Sequence, residues 1–178
     1  MSHALPVLIT AQQIHQRVGE LAALIGPQYR GRPLTIVGVL TGSLMFLSDL
    51  VRQLDVPLRI GFIQASSYRG AATKPGVLHI DPEIRADVQG RHVLLLDDIL
   101  DTGQTLRHLM AHLAELKPAS VKVAVLLRKK GRQRHPVEAD FIGFEIPDEF
   151  VVGYGLDFND EYRQLPYVAI LPRSMYES

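Results

Sequence analysis

The chain has no cysteine among its 178 residues. That rules out disulfides, thiolate catalysis and zinc–sulfur sites, although it does not by itself assign a compartment. Net charge is missing as well, since 19 lysines and arginines balance 19 aspartates and glutamates. No global basic field therefore argues for nucleic acid as a partner. No stretch has the form of a secretory leader or an uninterrupted membrane span, so the expected location is cytoplasmic, with no membrane partner. Internal repeats, low-complexity tracts and linkers rich in Gly, Pro or Ser are also lacking. What remains at this length is one expected domain over residues 1–178, able to bury a sizeable core.

Strand and helix patterns alternate along that domain. Thr10-Ala11-Gln12-Gln13 has the form of a capping box, and Ile14, Val18, Leu21 and Ile25 make one helical stripe before Gly26-Pro27 stops it. Residues 35–40, 58–63, 93–96, 121–127 and 141–144 read as buried strands, and 44–54 as an apolar helix that serves either as core or as an interface. Such alternation predicts the α/β class, with an open, mainly parallel sheet flanked by helices.

The most informative stretch begins where the apolar run Val93-Leu94-Leu95-Leu96 meets Asp97-Asp98-Ile99-Leu100-Asp101-Thr102-Gly103-Gln104-Thr105. A helical pattern at Leu106, Leu109, Met110 and Leu113 follows. Read this way, a strand ends, an acidic loop turns, and a helix starts with free N–H groups that favour an anion. Gly103 permits close backbone approach, and Thr102 and Thr105 supply hydroxyls. A phosphate alone would be repelled by Asp97, Asp98 and Asp101, so the ligand must also bring hydroxyl groups or a divalent cation. Asp97 and Asp98 suit either two ribose hydroxyls or Mg²⁺, leaving Asp101 to handle a proton. The bland alternative is a solvated turn with Asp101 as a helix cap.

Other segments carry weaker signals. Thr41-Gly42-Ser43 directly follows the first buried strand, where backbone groups can meet a ligand. As helix caps, Thr41 or Ser43 would need no further explanation. Residues 66–76, rich in small residues, form a candidate lid or merely a surface hairpin. Arg128-Lys129-Lys130-Gly131-Arg132-Gln133-Arg134 is a dense basic run without interleaved aromatics, expected to be a solvated loop for most of its charges. His108 and His112 have i, i+4 spacing but no acidic neighbour or evident third ligand, so an exposed helix face is expected rather than zinc.

The loop Leu95–Gly103 resembles the phosphoribosyl diphosphate (PRPP) binding loop of the type I phosphoribosyltransferases. Gly38-Val39-Leu40-Thr41-Gly42-Ser43, Ser66-Ser67-Tyr68, and the run from Asp140 through Ile146-Pro147-Asp148 and Phe150-Val151-Val152-Gly153-Tyr154-Gly155-Leu156-Asp157 extend the likeness to the hypoxanthine-guanine branch. The likeness implies that family's fold, with a core over about 34–144 and a small hood from about 1–20 and 145–178. It further implies transfer of the 5-phosphoribosyl group from PRPP to hypoxanthine or guanine, giving IMP or GMP and pyrophosphate.

By the same resemblance Asp101 is the proton-handling residue, and Asp97, Asp98, Thr102, Gly103, Gln104 and Thr105 bind PRPP. Thr41 and Gly42 meet pyrophosphate in a turn that often contains a non-proline cis peptide. Many relatives have a basic residue where this chain has Thr41, so here the turn offers backbone amides and a hydroxyl but no side-chain cation. Ser67 and Tyr68 border the lid. Lys129 donates to the 6-oxygen of the purine, Phe150 stacks on the base and the Val151 carbonyl meets its edge. Arg163 steadies pyrophosphate, and Asp157, with Asp97 and Asp98, holds Mg²⁺. Homodimers or homotetramers are implied. Two other readings stay open: a regulatory RNA-binding protein on the same fold, and a transferase for another base such as xanthine.

Overall fold

Side-chain alternation along the strand from His92 sets the layers: Leu94 and Leu96 join one buried cluster, while Val93 and Leu95 join another. In the computed structural model the described residues are 5–67, 78–81 and 87–176, with backbone alone described for 65–67 and 78–81. Among them the order is β1 (Val7–Ile9), α1 (Ala11–Ile25), β2 (Leu34–Leu40), α2 (Leu44–Val51), β3 (Leu58–Ser67), β4 (Leu78–Asp81), β5 (His92–Leu100), α3 (Gln104–Glu115), β6 (Ser120–Lys129), β7 (Phe141–Ile146), β8 (Val151–Val152) and β9 (Val168–Ile170).

Six strands form one sheet in the order β4-β3-β2-β5-β6-β7, parallel except for β4. Helices α1 and α2 cover one face, where Ile14, Val18, Leu21, Ile25, Phe46 and Leu50 bury against Leu34, Ile36, Leu94, Leu96, Ala124 and Leu126. On the other face Leu106, Leu109 and Leu113 of α3 meet Val37, Val39, Val93, Leu95, Val123 and Val125. Each fully buried Leu or Ile contributes about 1.5–3 kcal/mol relative to exposure, so the two-sided burial of β2, β5 and β6 dominates the fold's stability. The α/β expectation holds, because strands apolar on both faces need helices on both faces.

Helix α1 begins as its sequence predicts. The Thr10 hydroxyl accepts from the Gln13 amide at 3.2 Å, and the Gln13 side chain accepts from the Thr10 amide at 2.9 Å. Arg17 then reaches from α1 to the edge strand, donating to the carbonyls of Gly143 and Ile142 at 2.8 and 2.9 Å. The two ends of the chain meet in a second sheet, β1-β9-β8, antiparallel throughout, with Phe150, Phe158, Tyr162, Tyr167 and Tyr176 packed around its small core.

Several boundaries differ from expectation, with β3, β6 and β7 running on to Ser67, Lys129 and Ile146. The helix expected over 44–54 stops at Val51, and Leu54 packs on the core from a turn instead. Pro57 restricts the residue before it to extended conformations, and the chain must turn back to enter β3 beside β2. More important for the site, β5 does not end at Leu96. It continues to Leu100, because β6 goes on pairing with it at Asp97↔Val125, Ile99↔Leu127 and Leu100↔Arg128.

Candidate active site

The carboxyl ends of β2 and β5 separate, and the cleft between them is where the acidic residues gather. Strand β2 stays paired with β3 as far as Leu40↔Gln64, but its pairing with β5 stops at Gly38↔Leu96. From β2 the chain winds to one side through α2, and from β5 to the other through α3. That reversal of direction is the place where open α/β sheets bind ligands. Asp97 and Asp98 thus stand on the extended end of a strand, and not in the loop that the sequence suggested. Rigid ladder bonds fix their backbone.

A cavity of about 830 Å³ lies here, lined by Thr41, Gly42, Asp97, Asp98, Asp101, Thr102, Gly103, Gln104, Thr105, Asp157 and Arg163, all expected from the sequence. Gln64, Asn159 and Asp160 line it too, without a signal in the sequence that pointed to them. The peptide between Leu40 and Thr41 is cis. Gly42 follows in tight quarters: a Cβ there would lie 1.7 Å from an Asp98 carboxylate oxygen. Ser43 turns its buried hydroxyl back to the Val39 carbonyl at 2.7 Å and does not cap α2.

At the other wall Gly103 has φ +84°, a left-handed conformation that costs glycine nothing, and it occupies the cap of α3. Asp101 makes no capping bond to this helix, which sets aside the bland reading of that residue. The Arg107 amide makes the first helical bond, to the Gly103 carbonyl, so the amides of residues 104–106 precede the ladder and have no partner within it. An anion in the cavity would meet those donors.

Asp97 is 7% exposed, and one of its oxygens accepts from the Asp98 amide at 3.0 Å. Burial, then the neighbouring Asp98 charge, pushes its carboxyl well above the usual range. Burial also raises Asp98, against the opposing pull of the Asp97 side-chain hydrogen bond, local amides and the Arg163 charge. Across the cavity Arg163 donates to the Gly155 carbonyl at 2.8 Å and pairs with Asp157 at 2.9 Å and Asp160 at 3.0 Å. Asp157 and Arg163 are therefore ion-pair partners and cavity walls at once.

Asp101 closes a second group of charges. Its Oδ1 accepts from Arg132 Nε at 3.0 Å, and its Oδ2 lies 3.7 Å from Lys129 Nζ. Lys129 and Arg132 both approach Asp148 as well, at 3.6 and 3.5 Å. Arg128 and Lys130 pair with Glu145. The basic run is thus mostly ion-paired while Arg128, Lys130 and Arg132 keep a good part of their side chains in solvent, and Lys129 alone among these four is largely covered. The carboxylates come from the ends of β5 and β7, distant in sequence and adjacent in the sheet. Arg132 and Asp148 are the residues that sequence reasoning passed over, and their charge alone was no signal.

Lys129, Phe150 and Val151 lie outside the cavity walls, and of the three Lys129 touches a wall residue, Asp101. Val151 is buried in β8, and half-buried Phe150 packs edge-on to Phe158 at 5.7 Å and tilted on Tyr176 at 5.0 Å. Tyr68, most of the candidate lid 66–76 and the Ser67 side chain lie outside the described residues. His108 bonds the Gln104 carbonyl at 2.7 Å, and His112 lies 3.9 Å from Glu115.

The donor set fits a small divalent cation of the Mg²⁺ type. Buried Asp97 and half-buried Asp98, both with raised proton affinity, share a wall, and Asp157 faces the same cavity. Among the described residues no three carboxylate or imidazole groups converge on one point. Mg²⁺ suits that arrangement, since it commonly takes one or two protein carboxylates and completes its shell with water and substrate oxygens.

Comparison with known proteins agrees with this geometry. Residues 8–159 match the phosphoribosyl transferase domain family. The hypoxanthine-guanine phosphoribosyltransferase of Streptococcus pneumoniae is 41% identical over 97% of this chain and 96% of its own, and that of Staphylococcus epidermidis is 41% identical over 96% and 95%. Among solved structures, a hypoxanthine phosphoribosyltransferase from Staphylococcus aureus superposes with a TM-score of 0.89 at 40% identity, covering 97% of this chain and 94% of that one. The Trypanosoma cruzi enzyme superposes with a TM-score of 0.89 at 37% identity, covering 99% and 96%. The chain belongs to the phosphoribosyltransferase family, in its hypoxanthine-guanine branch.

Proposed function

We propose that the chain transfers the 5-phosphoribosyl group from PRPP to N9 of hypoxanthine or guanine, releasing pyrophosphate and giving IMP or GMP, in purine salvage in the cytoplasm. One observation carries the reading: an acidic pair, an anion-seeking helix start and Arg163 wall one cavity, with Asp101 at its rim beside Lys129. A phosphorylated sugar needs the first three together, and a base needs the last two.

In this reading the helix start and the hydroxyls of Thr102 and Thr105 hold the 5-phosphate, while Asp97 and Asp98 face the ribose hydroxyls. The backbone of Thr41 and Gly42 and the Arg163 guanidinium face pyrophosphate. Asp97 and Asp98 on one wall, or Asp157 on the other, would hold Mg²⁺, which when bound would offset negative charge on the departing oxygens. The anomeric C–O bond breaks with its electron pair leaving on pyrophosphate, N9 bonds to C1′, and the N7 proton passes to Asp101. Alignment by Phe150 and the Val151 carbonyl does the rest. Lys129 donates to a 6-oxygen and would face a donor in adenine, so adenine is rejected.

Incubation with PRPP, Mg²⁺ and a panel of bases tests the proposal. Nucleotide is expected from hypoxanthine or guanine and not from adenine. Product from xanthine alone would move the substrate assignment, and no product from any base would overturn the reading in favour of a regulatory protein.

A further inference from the structure

Lys129, Arg132, Asp101 and Asp148 form a closed ring of alternating charge in which each cation lies within 3.7 Å of both carboxylates. Within it the two oxygens of Asp101 are not equivalent. Oδ1 accepts a hydrogen bond from Arg132 Nε at 3.0 Å. Oδ2 stands 3.7 Å from Lys129, beyond hydrogen-bond length, and keeps its lone pairs for another donor. A carboxylate free to rotate would present either oxygen, whereas a guanidinium on one oxygen selects the other.

Magnitudes separate this from an ordinary surface ion pair. The side chains of Arg132 and Asp101 are 40% and 35% exposed. Pairs this exposed contribute little to stability, so the bond is a poor fastening for the loop. Misplacing a reacting group by about 1 Å costs far more in rate, up to about a hundredfold. We infer that Arg132 is a positioning residue for Asp101, fixing the carboxylate through Oδ1 so that Oδ2 meets the purine N7–H. The inference rests on the proton role proposed for Asp101.

Single-turnover formation of IMP, at saturating PRPP and Mg²⁺, reads the chemical step without product release. Arg132→Gln should slow it about tenfold or more, with the PRPP KM and the urea midpoint unchanged. Arg132→Lys, which restores a donor without the fork, should recover part of the loss. In a double-mutant cycle, Arg132→Gln should add nothing to Asp101→Asn, because it acts only through that carboxylate. A wild-type rate for Arg132→Gln, or a further slowing of equal size on the Asp101→Asn background, overturns the inference while leaving Asp101 in place. A wild-type rate for Asp101→Asn removes both.

Discussion

Gly155 stands directly against Gly42: a Cβ on Gly155 would lie 2.0 Å from the Gly42 carbonyl oxygen, and Gly155 itself has φ +101°. The same Gly42 leaves no room for a Cβ on its Asp98 side. Three elements remote in sequence thus meet at one turn, and neither glycine tolerates a side chain. Gly155→Ala should cost about 1–3 kcal/mol from the backbone conformation alone and displace the turn at Thr41. Urea unfolding and the PRPP KM measure the two effects. A variant unchanged in both would show that the turn accommodates a methyl group.

Asp101→Asn keeps the shape of the side chain and removes the proton acceptor. Turnover should fall about a hundredfold or more while PRPP binding is largely kept, since a positioned acid–base group contributes on that scale. Steady-state kcat with the PRPP KM decides it. Unchanged turnover takes Asp101 out of the mechanism.

Lys129 has an 11% exposed side chain beside two carboxylates, so its ammonium group is held close to the reaction zone. Hydrogen bonds to charged groups contribute about 1.5–3 kcal/mol, so Lys129→Ala should raise the KM for hypoxanthine tenfold or more and affect PRPP little. Normal use of the base by the variant would contradict the contact with the 6-oxygen.

Removal of divalent ions is the direct check on the acidic wall. Dialysis against a chelator should abolish activity, and Mg²⁺ should restore it. Full activity in the chelated protein would leave Asp97, Asp98 and Asp157 without a metal to hold.

Stability should also report buried Asp97. A carboxyl whose proton affinity is raised on folding stabilises the protein below its unfolded value, and that contribution is lost as pH rises through the raised folded value. Asp97, raised by burial and then by Asp98, has this sign. In metal-free buffer, stability should therefore fall as pH climbs from about 4 toward neutrality. Asp97→Asn should flatten that slope and gain about 1 kcal/mol at neutral pH, at the expense of PRPP use. Urea titrations at several pH values give the slopes. Equal slopes in both proteins would mean that Asp97 is ionised at no cost.

Much of this was legible from local pattern. The apolar runs marked β2, β5 and β6, and Thr10 to Gln13 marked the start of α1, because burial period and capping chemistry are properties of neighbouring residues. Strand ends were not legible: β5 runs past its apolar stretch since β6 still pairs with it at Asp97 and beyond. Two-residue β8 and three-residue β1 and β9 are too short to carry a period, and they exist only as partners of one another.

Local pattern along the chain was enough for the class of fold and the chemical types at the site: carboxylates, a glycine, hydroxyls and a helix start in unbroken order. Which charges meet came from the packing of the sheet. It set Arg132 and Asp148 beside Asp101 and Lys129, because these residues follow or end β5, β6 and β7, neighbours in the sheet and distant along the chain, and it set Gly155, beyond β8 of the second sheet, against Gly42. Coulombic and steric contacts depend on distance in space, and sequence spacing reports that distance only within a single helix or strand.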